Sequence, residues 1–401
     1  MLSATPTALA ALASLQGAAL ALLLTRLLPG RHRRPPVAPR DDAPPHAGDV
    51  SIVVATLQEA HRIGPCLDGL VRQGAVVREI LVVDSGSTDG TRELVDAASH
   101  RDPRVRLLSD PPLPAGWVGK AWALEHGLRE ARGRWVLGVD ADTAPVAGLA
   151  AGALAAAVEC GYDAVSFSPR FRIESAAERW LQPALLVTLV YRFGAAGTDA
   201  DPERVMANGQ CFLARREVLV SAGGYASVRA SFCDDVSLAR HLARGGSRVG
   251  FLDGSRLYDV RAYAGAREAW REWGRSLDLK DATGAARQWF DVAFLVMAQG
   301  TPLPLLLGAG VAALAGAHLG GSLAAAVATS AALLLVRVLL LFALAGSYAR
   351  RGLAFWCSPA ADPLAALRIL LSTLRRPRRW RGRTYAAHSP GAEPAVILRG
   401  P

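Results

Sequence analysis

With 401 residues the chain is long enough for one large domain or two smaller ones, and 51% hydrophobic residues with a mean hydropathy of +0.22 are high for a soluble enzyme. The formal net charge of +10 sits largely in arginine-rich stretches beside apolar segments, with no basic face carrying interleaved aromatics, which argues against a nucleic-acid partner. The five cysteines (Cys66, Cys160, Cys211, Cys233 and Cys357) are odd in number and not paired at metal-ligand spacing, which argues against a zinc site or a disulfide frame and fits a reduced cytosolic compartment.

Thr7 to Thr25 carries no charge and matches a bilayer core in length, so a transmembrane helix is expected within residues 1–30. No Lys or Arg precedes it, unlike the start of a cleaved signal peptide. Arg26, Arg31, His32, Arg33 and Arg34 follow, and the positive-inside rule then puts the next segment in the cytoplasm. Residues 31–48, with "PPVAPRDDAPPHAG", read as an extended, Pro-rich linker.

From 49 to 285 the pattern alternates. "VSIVVA" is a strand, "IGPCLDGLVRQ" a helix, "EILVVD" a strand, "TRELVDAASH" a helix, "RVRLLSD" a strand and "KAWALEHGLREAR" a helix. "RWVLGVDAD", the Ala-rich "AGLAAGALAAAVEC" and "YDAVSFSP" continue the series. Such alternation predicts right-handed βαβ units and a mostly parallel, Rossmann-like sheet, whose ligands bind at the carboxyl ends of the strands.

Acids gather at those ends. Thr56, Gln58 and Glu59 follow the first strand; Asp84, Asp89 and the turn "SGSTDG" follow the second; Asp140 and Asp142 follow the fourth. In an extended chain, positions i and i+2 share one face, so Asp140 and Asp142 are expected to converge and to need a cation; the plain alternative is a turn that favours Asp. Lys120, one of two lysines beside 43 arginines, sits at a helix start, either meeting an anion or lying on the surface. Asp234 and Asp235 open a helical repeat, either as catalytic acids or as acids favoured by the helix dipole.

Two further uncharged runs, Val292–Ala317 and Leu319–Val336, predict a transmembrane hairpin over 286–350 that turns outside near His318–Gly321. Gly352 to Leu374 is interrupted by Pro359, Asp362 and Pro363 and flanked by arginines on both sides, so residues 351–401 are expected to form an interfacial or re-entrant helix and a basic tail. Trp270, Trp273, Trp289 and Phe290 precede the hairpin, where aromatics suit either a membrane interface or ordinary packing.

The combination "SIVVATLQEA", "ILVVDSGSTDGT", "GVDAD" and "CDDVSLARHL", over roughly Asp49 to Asp259, resembles the inverting family 2 glycosyltransferases and their GT-A fold. Trp117, Gly119 and Lys120 as W-x-G-K, Trp380, Gly382, Arg383 and Tyr385 as W-x-G-R-x-Y, and Ala269–Leu277 look like a membrane-bound branch acting on carotenoids and hopanoids. Gln58 stands where the family carries Asn, Asp234 where it carries Glu, and the Q-x-x-R-W of processive synthases is missing, which argues against a long polymer. The resemblance implies a metal ion, Mg2+ or Mn2+, on Asp142, with Asp140 on the ribose or the same metal. It implies a nucleotide pocket lined by Thr56, Glu59, Asp84, Asp89 and Lys120, and a base at Asp235 beside Asp234. The expected donor is a nucleotide sugar, a UDP-hexose. The expected acceptor is an isoprenoid lipid, a carotenoid ahead of a hopanoid or polyprenyl phosphate. The catalytic domain is expected on the cytoplasmic face of the inner membrane. A nucleotidyltransferase on a similar sheet and a non-catalytic membrane scaffold are the competing readings.

Overall fold

A computed structural model describes residues 6–41, 46–261, 263, 265–276, 279–316, 320–374, 379–380 and 383–384. His318 of the expected outer turn, most of the arginine-rich tail, and Gly382 and Tyr385 of W-x-G-R-x-Y lie outside them. Contacts divide the chain into two units, one of residues 34–171, 196–261 and 377–401, the other of residues 1–33, 172–195 and 262–376.

The first unit is an α/β sandwich. Its strands are β1 (Val50–Thr56), β2 (Val77–Asp84), β3 (Val105–Ser109), β4 (Trp135–Val139), β5 (Thr143–Pro145), β6 (Ala164–Ser168), β7 (Arg170–Phe171), β8 (Cys211–Arg215), β9 (Val249–Asp253) and β10 (Tyr258–Val260). Seven of them form one sheet in the order β3-β2-β1-β4-β8-β6-β9, parallel except for β8. Ile52, Val53, Val54, Ile80, Leu81, Val82 and Val83 are all buried, which explains why these strands read as continuous apolar runs: helices cover both faces. A second small sheet sets β10 antiparallel to β5 and parallel to β7. The expected α/β GT-A architecture is therefore present.

Two close approaches fix this unit locally. In the helix Gly64–Leu70, a Cβ on Gly69 would lie 2.3 Å from the Pro145 carbonyl oxygen of β5, so only glycine lets the helix reach the strand that follows Asp142. Gly69→Ala is expected to cost about 1–3 kcal/mol by overpacking, read as a drop in Tm of several degrees. Residues 34–40 also lie along this unit: the Arg34, Val37 and Arg40 amides donate to Gly197, Asp253 and Gly148 carbonyls at 3.0, 2.8 and 3.2 Å.

The second unit is helical. Pro6–His32, Ala285–Leu314 and Gly321–Ser347 are each long and apolar enough to cross a membrane. Leu307, Val311, Leu314, Leu335, Leu339 and Phe342 are exposed on them, an outer surface suited to lipid. Several polar side chains in this unit are paired inside: Gln16 donates to Thr301 and accepts from Thr329 and Ser330, and Arg337 donates to both Asp362 oxygens at 3.0 and 2.9 Å. The helix Ala176–Phe193 groups here, although the sequence division at 49–285 places it with the sheet. Its stretch "LQPALLVTLV" has no charge and buries Leu181, Ala184, Leu185 and Val187. The segment 352–374 is broken as its prolines suggest, into Gly352–Trp356, a tight turn and Asp362–Leu374.

Candidate active site

The carboxyl ends of β1, β2 and β4 meet on one edge, and register explains the first contact. Thr56 and Asp84 are partners at the ends of β1 and β2, and the Thr56 hydroxyl donates to Asp84 Oδ1 at 3.2 Å. Asp84 also accepts the amides of Gly86 and Ser87, the Ser87 hydroxyl, and Arg92 Nη1 at 3.1 Å. The "SGSTDG" turn is thus wrapped around a buried carboxylate. Asp89 ties that turn to the loop after β1: its oxygens accept from Ala60 N, Thr91 N and Thr91 Oγ1. The Thr91 hydroxyl chiefly, helped by the amides, holds the Asp89 carboxyl below its ordinary pKa. Asp89 is exposed and acts as a turn brace.

Gln58 is the one non-glycine with positive φ among the described residues, at 56°. Asn is enriched in this region of backbone space, which gives a physical reason for the Asn that the family resemblance expects here. The Gln58 side chain reaches Thr88 on both ends, donating to its hydroxyl at 3.2 Å and accepting its amide at 3.4 Å. Glu59 pairs with Arg62, three residues onward in the loop before the helix Gly64–Leu70.

Asp140 and Asp142 do not end an extended strand. β4 stops at Val139, and residues 140–142 form a turn in which the Asp140 carbonyl accepts the Thr143 amide at 3.2 Å and hydroxyl at 2.8 Å. Asp140 and Asp142 therefore do not share one face of an extended strand, as their spacing had led us to expect. The two acids instead have separate cations. Lys120 Nζ lies 2.6 Å from Asp140 Oδ1, and Arg62 Nη1 lies 3.9 Å from Asp142 Oδ2. Asp142 Oδ1 is buried with no hydrogen-bond partner among the described residues. Burial first, and then the Asp140 charge, raise the Asp142 carboxyl above its ordinary pKa, with Arg62 opposing. Burial likewise raises Glu59.

Lys120 is delivered by the helix Gly119–Glu130, whose entry is clamped by Trp117 against Trp122, ring centroids 5.0 Å apart, and by the Val118 amide on the Arg229 carbonyl at 2.7 Å. Burial works against its ammonium, but Asp140, Asp234 and Asp235 outweigh it and hold the pKa above the usual lysine range. The helix Asp234–Arg244 supplies the last two acids. Asp235 Oδ2 accepts the Gly209 amide at 2.8 Å, and its Oδ1 accepts the Val236 amide at 2.8 Å. A Cβ on Gly209 would lie 3.0 Å from Lys120 Nζ and 3.4 Å from Asp235 Cβ, so this glycine keeps the Lys120–Asp235 approach open. Burial raises both Asp234 and Asp235, opposed chiefly by Lys120. One edge therefore carries four carboxylates, Glu59, Asp142, Asp140 and Asp235, with Arg62 beside the first two and Lys120 beside the last two.

The chain is similar to known proteins in part of its sequence and in its fold. The family model described as "Glycosyl transferase family 2" matches residues 51–221. The chain is similar to a dolichyl-phosphate beta-glucosyltransferase from Trichomonas vaginalis, 35% identical over 23% of this chain and 29% of that protein. It is also similar to the succinoglycan biosynthesis protein ExoO from Rhizobium meliloti, 38% identical over 23% of this chain and 25% of that protein. The chain thus spans less than a third of the length of the curated relatives it matches. A mannosyltransferase from Pyrobaculum calidifontis, solved with GDP-Man and Mn2+, shares the fold with a TM-score of 0.52 at 24% identity, over 89% of this chain and 99% of that one.

The family 2 match covers Thr56, Glu59, Asp84, Asp89, Lys120, Asp140 and Asp142 but stops before Asp234 and Asp235, whose place at the site rests on geometry. Sequence reasoning missed Arg62, Arg92 and the segment Asn208–Gln210. The latter clips the edge together: the Gln210 carbonyl accepts the Asp140 amide at 3.2 Å, and Asn208 exchanges bonds with Ser166 and Gln210. The available signal was "NGQ" placed directly before the apolar "CFLA" of β8.

Proposed function

We propose that this chain is a membrane-bound, inverting glycosyltransferase that moves a hexose from a nucleotide sugar, a UDP-hexose, to a hydroxyl or carboxyl of an isoprenoid lipid, a carotenoid first. The observation that carries the reading is the Lys120 bridge from Asp140 to the Asp234–Asp235 pair at the strand ends of a family 2 domain. A parallel sheet places a nucleotide at this edge, and Asp84 and Thr56 bound the pocket for the base. No three His, Cys, Asp or Glu side chains among the described residues form a metal cage. The buried, unpartnered Asp142 Oδ1 nonetheless fits an oxygen-seeking divalent cation that completes its shell with substrate phosphates. Asp142, with Asp140, would hold it. Bound there, Mg2+ or Mn2+ supplies Lewis-acid neutralisation of the departing diphosphate.

The chain's own residues account for the remaining steps. Asp235, held by two backbone amides, takes the proton from the acceptor hydroxyl. The freed oxygen attacks the anomeric carbon as the bond to the diphosphate breaks. A nucleoside diphosphate leaves and the anomeric centre inverts. A base must be ionised to act, and burial raises Asp235, so the acid limb of the kcat profile is expected above the ordinary aspartate range, with activity rising as pH passes the raised value.

Three helices apolar enough to span a bilayer support a lipid acceptor and a cytoplasmic-facing catalytic domain at the inner membrane. The dolichyl-phosphate relative favours the second reading, transfer to a polyprenyl phosphate. Membranes carrying the protein, incubated with a radiolabelled nucleotide sugar and extracted, separate the two. Label in a coloured lipid stable to mild acid is the expected result; label released by mild acid establishes the phosphate acceptor instead.

A further inference from the structure

We propose that Arg62 and Lys120 are built-in counter-ions for the metal-side acids, so that the divalent ion enters as a complex with the nucleotide diphosphate and not alone. The proposal rests on the donor-site reading above and adds an order of binding to it.

Three observations lead there. The acids on the donor side are already matched: Asp140 by Lys120 at 2.6 Å, and Glu59 and Asp142 by Arg62. An ion arriving alone must compete with two side-chain cations held in place. The chain also offers too few ligands, because no third His, Cys, Asp or Glu joins Asp140 and Asp142 among the described residues. A small hard cation bound by one or two carboxylates completes its shell with substrate phosphates and water. Finally, both cations are placed to exchange partners. Lys120 lies in the first turn of the helix Gly119–Glu130, where the helix dipole favours a phosphate. Arg62 lies just before the helix Gly64–Leu70 and is partly exposed, so its guanidinium can turn from Asp142 to a diphosphate without crossing the core.

The exchange balances in charge. The diphosphate brings the negative charge that Lys120 and Arg62 need once they leave the carboxylates, and the ion brings the positive charge that Asp140 and Asp142 need in return. Asp142 Oδ1, already without a partner, would be an oxygen ligand for the ion.

The test is Mn2+ binding to the full chain in detergent micelles, read from the signal of free Mn2+ by electron paramagnetic resonance, without nucleotide and with UDP as the probe. Mn2+ bound by UDP in protein-free samples is subtracted. Wild-type protein is expected to bind Mn2+ weakly alone and tightly with UDP. Arg62→Met removes one competitor and is expected to tighten binding of Mn2+ alone by about tenfold while weakening UDP binding. Lys120→Met, checked for folding by circular dichroism, is expected to shift both in the same directions. If both folded variants bind Mn2+ alone no more tightly than wild type, the counter-ion proposal is overturned, while the donor-site reading stands if Asp142→Asn abolishes the UDP-dependent site. Absence of any protein-bound Mn2+ in the wild type with UDP overturns both.

Discussion

Asp235→Asn is expected to fold, to bind the nucleotide sugar with an unchanged KM, and to lose roughly 10²–10⁴-fold in kcat. Asparagine keeps an oxygen for the Gly209 amide, so the local hydrogen bond at 2.8 Å can persist. What it loses is the ability to accept a proton, together with the charge that faces Lys120. Steady-state release of nucleoside diphosphate, measured with acceptor in excess, reads the effect. Retained activity in this variant would point to an acceptor that is already ionised, a phosphate or a carboxylate, and needs no strong base.

The second large effect concerns Asp142. Asp142→Ala is expected to lower transfer by about 10²–10³-fold, the scale of losing one preorganised electrostatic contact to a leaving group. Excess chelator should abolish wild-type activity, and Mg2+ or Mn2+ should restore it. Stability should move the other way. Burial raises the Asp142 pKa, so its ionised form opposes folding at pH values above the raised pKa, and one of its oxygens has no partner. Removing it should leave Tm unchanged or higher at neutral pH. An inactive variant with a markedly lower Tm would instead mark Asp142 as a structural residue.

β1 to β4 and β6 were legible in the sequence as short apolar runs alternating with helical segments, whereas β8 and β9 were not read from it. The acids at β1, β2 and β4 were legible for the same reason: strand ends in a parallel sheet lie on one edge. The pairing of those acids was not. Asp140 and Asp142 looked like neighbours on one extended face, but the Thr143 hydroxyl and amide close a turn there and send them to different cations. Arg62 was invisible because its value lies in a 3.9 Å approach across a loop, and nothing in the spelling "EAHR" marks it. The helix Ala176–Phe193 was hidden by its position between two parts of the sheet, since periodicity along the chain does not say which core a helix joins.

That interruption bears on how the protein is made. β6 (Ala164–Ser168) has partners only in β8 and β9, and both come after Ala176–Phe193 in the chain. While the ribosome is still emitting that helix, β1 to β4 can already pair among themselves, but β6 has both edges bare. Bare strand edges invite wrong partners. The ends of β1, β2 and β4, proposed to hold the nucleotide, are thus made early in synthesis, whereas Asp235 follows the apolar helix in the chain. A defect in settling that helix would yield a chain able to hold a donor and unable to use it.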